Sequence, residues 1–330
     1  MHVYVQTNDA DANDVIVFRR GSDGRLERSG TCATGGRGTG KPHLASQSSV
    51  VLVDDRLFVA NAGSDDVSIF GVDGDGLRLQ DRVASGGSMP TSIAVHGATV
   101  AVLNAGGEPN VSVFELDGAK LATRSLSGSD PAQVAFSPDG RTLVVTDRAT
   151  DSIHAFAVED GRIADRPVTH PSSGATPYGF DFTENGTLVV TEAAGAQAGK
   201  ASASSYALIG PAKLNPVSGP IGNTRSEVCW AVIGKDGRFV YVTNFGDGTI
   251  SAYEITPDGS ITLRDPVAAR TYEGEPGLRD EGLSEDGRFL YALHADRRRI
   301  FAWEVAEDGS LSAVGEADGL PATAAGLAVR

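Results

Sequence analysis

Cysteine is almost absent from this chain: Cys32 and Cys229 are the only two in 330 residues. A single pair supplies neither a disulfide framework nor a cysteine-rich metal site. In the repeat scheme below, the two fall on blades far apart, too distant to bond. A reducing compartment is the expectation. Also missing is any run of about 18 apolar residues, the length a membrane-spanning helix needs. Lysine is scarce (Lys41, Lys120, Lys200, Lys213 and Lys235), and the longest basic run is Arg297-Arg298-Arg299. With a formal net charge of −15, the chain lacks the clustered cations that a phosphate backbone requires. Nucleic acid and membrane are therefore set aside as partners, and the acidity reads as solubility. No His-x-x-x-His, His-Glu-x-x-His or carboxylate-rich calcium loop is present, so neither a metal nor a cofactor is expected. Met1-His2-Val3-Tyr4-Val5 runs directly into strand-like alternation and leaves no room for a signal peptide. A cytoplasmic monomer is the expectation.

Glycine, by contrast, is plentiful at 41 residues, whereas aromatics make up 6 %. That balance suits many short strands joined by tight turns. A strand closing on a bulky aromatic recurs seven times, at Phe18, Phe70, Phe114, Phe156, Tyr206, Tyr253 and Trp303. The spacing of 42 to 52 residues is that of a four-stranded propeller blade. Another apolar run precedes each, as in LFVANAG, LVVTDRA and VYVTNFG. Asp-Gly or Asn-Gly pairs mark the hairpins. One series (Asp139-Gly140, Asn185-Gly186, Asp236-Gly237, Asp286-Gly287) joins first and second strands. The other joins third and fourth strands: Asp23-Gly24, Asp75-Gly76, Asp117-Gly118, Asp160-Gly161, Asp258-Gly259 and Asp308-Gly309. The fifth repeat departs, with Gly210-Pro211 and a small-residue insert from Ala193 to Ser205. The first repeat lacks an inner strand, and the chain ends with an unpaired one, residues 323–329. Residues 1–330 thus predict a single all-β domain: a seven-bladed β-propeller of four-stranded antiparallel blades, closed by the C-terminal strand joining the N-terminal blade.

The segments FSPDGRTLVVTD (136–147), GKDGRFVYVTNFGDGTISAYEITPDGSI (234–261) and LSEDGRFLYALHADRRRIFAWEVAEDGSL (283–311) resemble the lactonase family of seven-bladed propellers. That family includes bacterial 6-phosphogluconolactonases and carboxymuconate-lactonizing cyclases. The resemblance runs the length of the chain. It implies opening or closing of a small carboxylated or sugar-derived lactone. The family often opens an inner strand with Pro-x-His, whose imidazole lines the channel. Here the matching places read Pro90-Thr91-Ser92, Pro131-Ala132-Gln133, Pro177-Tyr178-Gly179 and Pro321-Ala322-Thr323, without histidine. The nearest match, Pro42-His43, lies before blade 2 and has His directly after Pro. No catalytic residue carries over from the family.

Topology narrows the search. Inner-strand starts and second-strand ends share one face around the channel mouth, and the Asp-Gly turns lie on the other. A funnel there would collect a small-molecule ligand. In blade 7, Asp280 and His294 are candidates to activate water or move a proton, with Arg279 holding a carboxylate at two points. A rim salt bridge beside a solvated histidine is the competing reading. Glu192 and Arg148, on neighbouring blades, form a second catalytic and binding set, or else an inter-blade ion pair. Further candidates for ligand contact are Asn61, Asn104, Gln133, Tyr178, Trp230 and Asn244. Asn at a strand end more often ties its own loop, and Trp230 can equally pack between blades. A propeller that binds a metabolite or protein without turning it over is the alternative to an enzyme.

Overall fold

A computed structural model describes every residue except Asp75, Asp117, Ser127 and Glu273. The strands sort into seven antiparallel sheets around a ring. From the channel outward, blade 2 is Val50–Val53, Arg56–Asn61, Asp66–Asp73 and Gly76–Ala84, and blades 3 to 7 repeat that meander. Inner strands of blades 3 to 7 are Ser88–His96, Pro131–Phe136, Pro177–Phe182, Val228–Ile233 and Leu278–Leu283. Blade 1 closes the ring as expected. Ala325–Val329 pairs antiparallel with His2–Gln6, with Val3 opposite Val329 and Val5 opposite Leu327. Arg20, its side chain only 2 % exposed, joins Asp286 of blade 7 at 3.1 Å and reinforces the seam.

Each blade presents apolar side chains on both faces of its twisted sheet. The buried core therefore divides into one cluster per blade interface. The seven repeated aromatics all sit in these clusters or beside them, between 0 % and 5 % exposed. Phe70 packs with Tyr4 and Val17 across the blade 1–2 interface, and Phe156 packs with Val111 and Val113 across blades 3–4. Burying one such ring contributes about 1.5–3 kcal/mol, so regular spacing of the aromatic fixes the ring. Polar side chains on the inner strands add a second tie between neighbours. Gln133 bonds both the amide and the carbonyl of Phe180, at 2.7 and 2.9 Å. Asp181 accepts from the Ile233 amide at 2.8 Å, and Ser92 from Val134 at 3.1 Å.

The turns follow the dipeptides with one refinement. In the loops at Asp139-Gly140, Asp236-Gly237 and Asp286-Gly287 only the glycine has positive φ, at 67°, 69° and 71°. These are type I turns ending in a left-handed residue. Of the described Asp-Gly pairs, Asp160-Gly161 alone has both residues at positive φ, as a type I′ turn requires. The pairs at Asp75 and Asp117 lie partly outside the described residues. The insert of blade 5 is shorter than its composition suggests. A 3₁₀ turn spans Ala194–Ala196, and the third strand, Ser202–Gly210, already starts within the stretch read as loop. In blade 4 the outer strand splits into Arg162–Ile163 and Val168–Pro171.

Candidate functional site

Residues 34–49, between blades 1 and 2, belong to no repeat. They form a strap over the channel mouth, held from several sides. The Pro42 carbonyl accepts from Nη1 of Arg279 in blade 7. Ser46 Oγ donates to the Ala132 carbonyl in blade 4. The Gln47 amide donates to the carbonyl of Ala231 in blade 6 at 2.8 Å and accepts from that residue's N–H at 3.1 Å. The Ser48 carbonyl accepts from the Ile93 amide of blade 3 at 2.8 Å. Leu44 is buried with Ala62 and Ala325.

Beside the strap lies a cavity of about 480 Å³, walled by blades 4 to 7. Such a volume suits a small metabolite. Blade 4 contributes Asp130 and Arg148, and blade 5 contributes Thr176, Tyr178 and the small side chains of Ala193, Gly195 and Ala196. Blade 6 supplies Glu227, Cys229 and Phe245, blade 7 Arg279, and the strap His43.

Two guanidinium groups face this cavity in different electrostatic states. Arg148 is paired with Asp130 at 2.6 Å, donates to the Tyr178 hydroxyl at 3.1 Å and lies 4.9 Å over the Tyr178 ring. Arg279 has no carboxylate partner among the described residues. Its guanidinium stacks 4.6 Å over Phe245, and its Nε is buried without a hydrogen bond. His43 lies near both. Burial, and then the charges of Arg279 and Arg148, push its pKa down to about 4. Its Nε2 stands 3.5 Å from the Tyr178 hydroxyl, and its Nδ1 is buried without a partner. The imidazole is neutral at neutral pH and can accept a proton. Burial pushes the Tyr178 phenol up, and it pushes the Cys229 thiol up to about 12, which keeps sulfur protonated and unreactive.

Part of the chain's left-handed backbone lies at the rim. Thr176, Ala194, Ala196 and Glu227 hold φ of 60°, 49°, 61° and 53°. A β-branched residue in the left-handed region is a genuine outlier, and such outliers concentrate at functional sites.

Three of the sequence candidates, Arg279, Arg148 and Tyr178, therefore meet in one cavity. The others do not. The proposed Asp280–His294 dyad does not form. Asp280 turns to the Gly326 amide of blade 1, and burial raises its pKa to about 6. His294 is buried among Tyr272 and Phe301, with ring centroids at 5.8 and 6.1 Å. A register shift between Arg279 and Glu281 separates what simple alternation would align. Glu192 is not paired with Arg148. Its carboxylate accepts from Ser202 Oγ at 2.6 Å and the Gly174 amide at 3.0 Å. Asn61 bonds Asp66 and Ser68, and Asn244 bonds Thr249 and Ser251. Asn104 bonds the Ser85 carbonyl and Asn110. All three tie loops. Gln133 is the inter-blade tie described above, and Trp230 backs Tyr178 with centroids 4.9 Å apart. The candidate set omits His43, as it does Asp130, Thr176, Glu227 and Phe245 of the same lining. For His43 the available signal was length: a long, glycine-rich connection in a compact ring is usually functional. Among the described residues, no group of three or more His, Cys, Asp or Glu is placed to hold a metal ion.

Comparison with known proteins agrees with this architecture. The family described as "Lactonase, 7-bladed beta-propeller" matches residues 11–127 and 119–202. No curated protein sequence matches significantly. Among solved structures, the periplasmic gluconolactonase of Pseudomonas aeruginosa is similar over 99 % of this chain and 98 % of its own, with 18 % identity and a TM-score of 0.75. A functionally unknown protein from Desulfotomaculum acetoxidans matches over 99 % and 98 %, with 14 % identity and a TM-score of 0.76. At such identities the likeness speaks to fold alone.

Proposed function

Because this chain belongs to the lactonase family of seven-bladed β-propellers, we propose that it opens a small carboxylated or sugar-derived lactone in the cavity beside the strap. One observation carries the reading: Arg148, Arg279, Tyr178 and a neutral His43 line a single cavity. Arg279, lacking a protein carboxylate, binds the substrate's anionic group at two points. That anion offsets the positive field on His43 and raises its basicity when the substrate is bound. The imidazole then takes a proton from a water whose oxygen attacks the lactone carbonyl. Arg148 and the Tyr178 hydroxyl face the oxyanion that forms, where fixed donors act most strongly. Collapse breaks the bond from the acyl carbon to the ring oxygen. The departing alkoxide recovers the proton from the imidazolium, leaving a hydroxy acid. Lactonization is the same path reversed.

The low basicity of free His43 favours a second reading, a propeller that binds an acidic metabolite without turnover. A panel of aldonolactones and muconolactones, assayed with the full chain and with His43→Gln, separates them. A positioned base contributes on the order of 10²–10⁴-fold, so His43→Gln should lose that much turnover while retaining hydroxy-acid binding. Binding of the acids with no lactone opened by the wild-type chain supports the second reading.

A further inference from the structure

We infer that Gln47 is a positioning residue: by clamping the strap to blade 6 it holds His43 between the two arginines. The inference rests on the proposed site, yet its test needs no turnover. Gln47 makes both of its amide bonds to one residue, donating to the Ala231 carbonyl and accepting from the Ala231 N–H. That is how a neighbouring strand would saturate the inner edge of blade 6. The pairing of Val228–Ile233 with its own second strand shifts register just before Ala231, so the clamp also caps an irregular edge. Gly179 leaves the room for it, since a Cβ at that position would stand 2.7 Å from Gln47 Oε1.

Four residues upstream, His43 has no equivalent clamp. Its Nδ1 is unpartnered, and its Nε2 reaches only the Tyr178 hydroxyl at 3.5 Å. The ring is therefore placed by what holds the chain on either side. Before it, the Pro42 carbonyl accepts from Arg279; after it come the Ser46 bond to Ala132 and the double bond of Gln47. Upstream, Asn8 also anchors the strap through Thr39 and the Lys41 carbonyl; downstream, Gln47 is the tie that fixes two directions at one residue. Charged and titratable groups around the imidazole come from every packed wall: Arg279, Arg148 with Asp130, the Tyr178 phenol, and Glu227 and Cys229 on blade 6. Burial first, and then the two guanidinium groups, disfavour the imidazolium.

NMR titration of the His43 ring, assigned by its loss in His43→Gln, reads the placement directly. In the wild-type chain the ring should stay neutral to about pH 4. In Gln47→Ala the freed strap lets His43 leave the arginines for solvent. Its midpoint should then rise by more than about one pH unit toward the ordinary value near 6.5. Gln47→Met, which keeps the volume and removes both bonds, should behave alike. A folded variant with a lowered melting temperature but an unmoved His43 midpoint overturns the inference. So does a failure of both variants to fold, which would place Gln47 in the general core. Absence of lactonase activity bears on the proposed function and leaves this titration unaffected.

Discussion

Arg279 and Asp280 are adjacent in sequence and opposite in fate. Successive side chains of a strand point to opposite sides. The guanidinium enters the cavity over Phe245, and the carboxylate crosses to the Gly326 amide of blade 1. Position in the repeat marks both as candidates, and of the two only Arg279 lines the cavity. Arg148 was legible as a cavity-lining candidate because it ends a second strand on the correct face, but its carboxylate partner is Asp130, not Glu192. His43 was legible as a near miss to the Pro-x-His pattern and through the length of its connection, but nothing in its own neighbourhood says where the strap crosses. For the proposed reaction, Arg279→Lys should raise KM by about tenfold and lower kcat less. Lysine cannot reproduce the planar two-point contact or the stacking on Phe245. Steady-state kinetics, or calorimetry with the hydroxy acid, would show it; an unchanged KM removes Arg279 from substrate binding.

At the level of elements, turns and aromatic strands were readable because each recurs, and a period needs no tertiary knowledge. The strap occurs once and carries no period, and the 3₁₀ turn of Ala194–Ala196 has a counterpart only in Phe245–Asp247 of blade 6. The strap is set by contacts on other blades and the turn by Ala175 and Thr176 at the entry of its own, and both supply part of the cavity wall. Closure was also readable, since a first repeat without an inner strand and a last strand without a blade complete one another. Ala325–Val329 carries that closure, with Leu327 in the cluster shared with blade 7 and Ala328 in the one shared with blade 2. Deleting residues 323–330 should lower the melting temperature by at least about 5 °C, through lost burial and ladder bonds. A truncated chain melting within about a degree of the full one would show that blade 1 does not depend on this strand.

Across the whole molecule, three carboxylates on inner strands are held against their ordinary ionisation. Burial raises Asp181 and Asp280 to about 6 and Glu281 well above its usual value. The charges of Asp181 and Asp280 add to the Glu281 shift, which the Thr243 amide opposes only in part. An acid whose folded pKa is raised contributes fully to stability below its unfolded value, near 3.9 for aspartate, and that contribution is lost as pH rises through 6. The chain should therefore melt at a higher temperature at pH 5 than at pH 7. Easing of the net charge of −15 works in the same direction. Asp280→Asn isolates the buried term, because the amide oxygen can still accept from Gly326. It should raise the melting temperature at pH 7 by a few degrees and leave it nearly unchanged at pH 5. Equal shifts at both values would mean that Asp280 is ionised throughout.

The seam in blade 1 has a further consequence. Its first two strands in space are the last and first of the chain, and the Arg330 amide donates to the His2 carbonyl at 2.8 Å. Topologically the backbone is a circle cut once. The cut falls between an inner strand and its neighbour, yet the same contacts would exist if the ends met there and the chain opened at an outer hairpin such as Gly210-Pro211. Blade order, cavity and strap are all indifferent to where the polypeptide begins. The ring can thus be permuted without a new kind of contact being invented.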